Sequence, residues 1–80
     1  MTGFERLYRA ACLHIEVFGL ELERDGLTTT LSDPEHGIVL WARGIRKRHL
    51  VCELVTQHVT HMSRLADQAS YRRDLELLDG

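Results

Sequence analysis

The apolar positions of this chain change period as the chain proceeds, and each change marks an element. Thr2 and Glu5 form a capping box, and Phe4, Leu7, Tyr8, Ala11, Ile15 and Phe18 recur behind it at helical spacing. The first element is therefore an amphipathic helix, stopped by Gly19, with Arg6 and Arg9 outside its apolar stripe. From Leu20 the period drops toward two, although Ile15 to Glu23 can be read as either helix or strand. Leu20 to Arg24 and Leu27 to Leu31 flank Asp25-Gly26, a dipeptide suited to the two positive φ angles of a type I′ hairpin turn. A loop at those two residues pairs Arg24 with Leu27, Leu22 with Thr29 and Leu20 with Leu31. Leu20, Leu22, Leu27 and Leu31 then share one face, and Glu21, Glu23, Thr28 and Thr30 take the other.

Ser32 to Gly37 is a turn by composition, and Ile38 to Ala42 is a third short strand, with the meander ending at Gly44. Leu50, Val51, Leu54, Val55, Val59, Met62, Leu65, Ala66 and Ala69 then follow a helical period without a break. Beyond Ala69 the phase shifts, because Arg72, Arg73 and Glu76 fall on the apolar arc while Tyr71, Leu75 and Leu78 start a new stripe. Either the helix bends near Ser70, which would cap a short extra C-terminal helix, or its end packs on a different surface. The predicted fold is α+β, a helix, a three-stranded antiparallel β-meander and a long helix (α-β-β-β-α), in one small domain over residues 1–80. Both helices are expected on the leucine face.

Eighty residues lie near the lower limit for a core that stabilises itself, which makes a homodimer an option. Hydrophobic content of 44% and charged content of 28% are those of a folded domain. The net charge of −2 gives no general attraction for nucleic acid or anionic lipid, so any such binding must come from a local patch. No apolar run reaches the roughly 18 residues of a membrane span, and Met-Thr-Gly-Phe-Glu is no signal sequence, so a cytoplasmic protein is expected. Cys12 and Cys52 lack CxxC spacing and read as buried thiols.

Local charge changes the picture more than the total does. Arg43, Arg46, Lys47 and Arg48 are four of the ten cations, and they sit where the long helix begins, the end at which the helix dipole disfavours positive charge. Asp74, Glu76 and Asp79 sit at the opposite end, which disfavours acids. An antiparallel pair of such helices, or a fold-back of the C-terminal segment, would set one group against the other. His58, Met62 and Leu65, with those three acids, are the candidate dimer seam. The basic turn can also meet phosphate, since it combines charge with free N–H donors. No aromatic residue is interleaved with it apart from nearby Trp41.

Trp41 is the only tryptophan, and register decides where it points. With Leu31 opposite Ile38, Val39 and Trp41 join the outer face, where an exposed Trp is a strong anchor; the other parity buries it. His58 and His61 stand one turn apart, but two imidazoles without a third ligand do not make a zinc site, and His58 reads as a core or interface histidine with one hydrogen bond. His14, His36 and His49 are scattered. There is no phosphate loop, nucleophile elbow or HExxH, so no catalytic residue, metal or cofactor is expected.

A helix, three strands and a helix is also the order of double-stranded-RNA-binding domains, but Pro34-Glu35-His36 precedes the last strand instead of separating the first two, and the family is not assigned. In size and element order the chain resembles small inhibitors encoded by phages and mobile elements, anti-CRISPR proteins among them, a resemblance of architecture that carries no diagnostic residues. It implies a non-enzymatic protein that binds and inhibits or regulates a larger protein or nucleoprotein assembly. The candidate contact residues are Trp41, Arg43, Arg46, Lys47 and Arg48, and the alternative is a nucleic-acid-binding regulator using the same basic turn.

Overall fold

The computed structural model describes residues 2–79, and at Tyr71, Asp74, Leu75, Leu77, Leu78 and Asp79 the backbone only. The order is α1 (Gly3–Phe18), β1 (Glu21–Asp25), β2 (Thr28–Asp33), β3 (Ile38–Arg43) and α2 (Lys47–Asp79). Thr2 caps α1, its hydroxyl accepting from the Glu5 N–H at 3.2 Å. Gly19, at φ 63°, ends the helix in a Schellman arrangement: its own N–H reaches the Glu16 carbonyl and the Leu20 N–H reaches that of Ile15. That closure fixes the boundary between helix and strand, and it brings Leu20 back into the core beside Ile15.

The sheet has the order β1-β2-β3, antiparallel throughout. Its register differs by two residues from the one the Asp25-Gly26 turn predicts. Asp25 pairs with Thr28, so the loop is Gly26-Leu27, and Gly26 alone takes positive φ (59°). A single positive φ at the first loop position is the pattern of a type II′ turn. The shift removes Leu27 from the core face and sets it in the turn, but a two-residue slip preserves parity. Leu22, Leu31 and Leu40 line up across the three strands, with Arg24, Thr29 and Ala42 as the next row and Asp33 opposite Ile38.

α2 packs across β2 and β3, and α1 packs mainly along α2, so a single helix covers most of the leucine face. The core is Ala11, Leu20, Leu31, Val51, Cys52, Leu54 and Val55. On α1 the line packed against it is Phe4, Tyr8, Ala11 and Ile15, narrower than the predicted stripe, and Leu7 is exposed. Cys52 is buried, whereas Cys12 is exposed, and both thiols are free. No separate C-terminal helix forms. With neither Pro nor Gly between 47 and 79, nothing breaks the backbone ladder, and α2 continues through Ser70 to Asp79. At about 1.5 Å per residue its 33 residues span about 50 Å, close to the 53 Å length of the whole molecule. Only the part up to about Met62 lies on the domain, and among the described side chains beyond it none is buried.

Candidate functional site

Two regions carry chemistry. The first is the one the charge pattern indicates. Outer-face positions of β3 are Val39, Trp41 and Arg43, opposite Ser32, Thr30 and Thr28, and neither helix lies over them. Trp41 is 66% exposed and Val39 65%, and Ile45 just beyond is 83% exposed. β3 is also an edge strand, six residues long, without Pro or a positive-φ residue to interrupt it. The other edge, β1, turns Glu21, Glu23 and Asp25 outward instead, a charged face of the kind that discourages strand pairing.

The turn from β3 into α2 is held from inside by Arg24. Its guanidinium donates to the Thr29 hydroxyl at 2.9 Å and to the carbonyls of Gly44 and Ile45 at 3.1 and 3.3 Å. The Gly44 N–H donates to the Leu27 carbonyl at 2.8 Å, and a Cβ at Gly44 would stand 3.3 Å from Leu50 Cδ2. The turn is therefore fastened at both faces, and Arg43, Arg46, Lys47 and Arg48 radiate from it into solvent. The structure adds something the local sequence lacks. α1 brings Phe4 and Tyr8 to the start of α2, where Phe4 stacks on His49 at 4.3 Å and Arg48 lies 5.2 Å above the Tyr8 ring. Together with Arg46 and Lys47 these residues line a shallow cavity of about 540 Å³.

The predicted dimer seam is divided differently. His58 is enclosed within the protomer, whereas Met62 is half-buried, Leu65 is 43% exposed and Glu76 is exposed. The side chains of Asp74 and Asp79 lie outside the described residues.

The second region went unread in the sequence. Asp33, the last residue of β2, points inward and is buried, as β2 alternation from Thr29 and Leu31 requires. Its Oδ1 accepts from the His36 backbone N–H at 3.2 Å, and its Oδ2 accepts from His36 Nδ1 at 2.8 Å and from His58 Nε2 at 2.7 Å. The other nitrogen of the His58 ring, Nδ1, lies 2.8 Å from His14 Nε2. The result is one hydrogen-bonded chain, His36, Asp33, His58, His14, that joins the β2–β3 turn, β2, α2 and α1. Phe18 covers it, its ring 4.4 Å from that of His14 and 5.5 Å from that of His58.

An ionised Asp33 offers only acceptors, so His58 must carry its proton on Nε2 and, while neutral, accept at Nδ1 from a His14 protonated on Nε2. Among the described residues every buried side-chain polar atom is partnered. Burial alone would raise the Asp33 carboxyl, but the hydrogen bonds from His58 and His36 outweigh it and hold the group below the usual carboxylate range. His14 is held below the usual imidazole value, first by burial and then by the neighbouring His58. These nitrogens face one another and the carboxylate rather than a common point, and among the described residues no cluster of three or more His, Cys, Asp or Glu could hold a metal. Two signals in the sequence bear on this chain: the strict alternation through Asp33, and the place of His58 at the centre of the apolar arc.

Comparison with family models, with curated proteins and with solved structures yields no match.

Proposed function

We propose that this is a small non-enzymatic interaction protein that binds a larger protein or nucleoprotein assembly and regulates or inhibits it. The observation that carries the reading is the uncovered outer sheet face, where Trp41 and Val39 stand exposed beside Arg43, Ile45 and the cations of the basic turn. A large aromatic ring next to arginines is the composition of an interface anchor, and the positive turn would steer encounter with an acidic surface. The unprotected β3 edge adds a means of attachment by strand pairing. Met62, where α2 leaves the domain, and Leu65, on the part that projects from it, give a homodimer a place to form.

A second reading, a nucleic-acid-binding regulator, gains support from Phe4, Tyr8 and His49, because rings beside Arg46, Lys47 and Arg48 supply stacking surfaces that the sequence around the turn lacks. A photo-crosslinking residue placed at Val39 beside Trp41, at Arg46 and, as control, at the exposed Glu53 on α2 separates the readings. The interaction reading predicts a discrete protein adduct from the first two positions, competed away by wild-type protein and absent from the control. Equal labelling from all three would refute it. Nucleic acid retained at low salt and lost with a steep salt slope would favour the second reading.

A further inference from the structure

The histidine chain does something the interaction surface does not require, and its proton arithmetic is the reason. Three ring N–H groups serve it at neutral pH: that of His36 Nδ1 and that of His58 Nε2, both to Asp33, and that of His14 Nε2 to His58 Nδ1. One proton more on the His14 and His58 pair, taken up at the bare Nδ1 of His14, leaves every bond in place. A second can go only to His58 Nδ1, where the His14 N–H already points. Two imidazoliums would then face each other N–H to N–H across 2.8 Å, with no acceptor between them. Protonation of His36 does no such damage, because its ring remains a donor to Asp33 and its side chain is 30% exposed.

Among the described residues no other charge is placed to relieve that pair. On α1 the group that faces His58 is His14 itself. On the inner faces of the strands, β3 offers Ile38, Leu40 and Ala42, and β2 offers Thr29, Leu31 and Asp33. β1 offers Leu22 and Arg24, and Arg24 is committed at the far end of the sheet to Thr29, Gly44 and Ile45. Among the described residues Asp33 is thus the single anion in reach, and of the two rings it touches only that of His58. Phe18 covers the pair, and Ala11, Cys52 and Val55 line an apolar groove of about 260 Å³ on the side of His14.

The bond between His14 and His58 is also the only side-chain hydrogen bond that ties α1 to any other element among the described residues. The other contacts of α1 are the apolar and aromatic ones of Phe4, Tyr8, Ala11, Ile15 and Phe18, with the Arg48 guanidinium above the Tyr8 ring. We propose that the His14–His58 pair is an acid-opened clasp: it docks α1 at neutral pH, and double protonation undocks α1 while the sheet and the N-terminal half of α2 stay folded. Undocking bares the apolar line of α1 and the Cys52 and Val55 positions of α2 on which it packs, so that acidification changes the surface the protein presents. Gly19, in its left-handed conformation, is the joint about which α1 would swing.

Hydrogen exchange of the full chain, followed by mass spectrometry near pH 7.5 and near pH 5 and corrected for intrinsic rates, tests this directly. Segments within 4–18 should lose protection by up to about tenfold per pH unit as the pH drops below the ordinary imidazole value of about 6.5, while segments within 28–43 and 48–58 keep theirs. His14→Gln presents an amide N–H where Nε2 stood and does not titrate, so its α1 should stay protected at both pH values. Parallel loss of protection in α1 and the sheet would overturn the proposal, as would an unchanged acid response in His14→Gln. Should that variant not fold, the imidazole resonances of the wild type decide: opening must follow the second titration of the His14 and His58 pair, and opening that follows His36, His49 or a carboxylate would refute the clasp.

Discussion

Replacing Asp33 by Ala removes three acceptor contacts, and their consequences differ because their surroundings differ. Two of the contacts come from His36, at a turn where the side chain is 30% exposed, so water can take the place of the carboxylate there at little cost. The third comes from His58 Nε2, on a residue only 1% exposed and covered by Phe18, where water has no approach. Stranding a buried donor costs about 1–3 kcal/mol, and breaking a buried charge-assisted pair by removing one partner costs about 3–5 kcal/mol. With His58 able to stay neutral, Asp33→Ala should cost about 3 kcal/mol, against a total stability of about 4–12 kcal/mol for a domain of this size. Urea unfolding at neutral pH, followed by far-ultraviolet circular dichroism, reads it as a lower midpoint at unchanged slope. The double variant Asp33→Leu, His58→Leu should recover part of the loss, because it leaves no stranded partner in the pair itself. A loss below about 1 kcal/mol in Asp33→Ala, smaller than a single stranded donor requires, would refute the reasoning.

Other expectations follow from the same structure. Stability should begin to fall as the pH drops below the ordinary imidazole value of about 6.5, because His14 binds its proton less readily folded than unfolded. It should fall further as the pH drops below the ordinary Asp value of about 3.9 and through the lowered folded value of Asp33, and unfolding midpoints across a pH series would show both stages. Leu54→Ala, at a fully buried position, should cost about 2–5 kcal/mol in the same urea assay. Gly26→Ala forces a side chain into positive φ and should cost about 1–2 kcal/mol. Trp41→Ala should change stability by no more than about 0.5 kcal/mol while removing the crosslinked adduct, since two thirds of that residue faces solvent. Truncation after Ser63 should leave the thermal midpoint of the remaining domain within a few degrees, and light scattering would show whether the projecting helix sets the oligomeric state.

The fold was legible because it rests on periodicity. A sheet face is set by parity, so the two-residue error in the hairpin register left Leu20, Leu22 and Leu31 inside, whereas the direction of Trp41 depended on the β2–β3 register, which the sequence left open. The error itself came from assigning positive φ to Asp25 as well as Gly26. The observed loop asks it of glycine alone and gains an unbroken row of Leu22, Leu31 and Leu40. The shift in phase beyond Ala69 suggested a break, yet phase reports what a helix packs on and not whether its backbone continues; α2 leaves the domain and has nothing there to face. The histidine chain was illegible for a different reason. Asp33 sits in a run that reads as a turn by composition, and His14, Asp33, His36 and His58 are brought together only by the docking of α1, the β2–β3 turn and α2. Within α1, His14 lies between Ala11 and Phe18 on the edge of the stripe, a position that carries no sign of a partner 44 residues away.

A buried carboxylate joins three elements through oriented imidazoles, and imidazole nitrogen–proton correlation at neutral pH reads that arrangement atom by atom. His58 should be locked with its proton on Nε2, observable because exchange with water is slow, and His14 locked as the Nε2–H tautomer donating to it. Five rapidly exchanging histidines with averaged tautomers would contradict it.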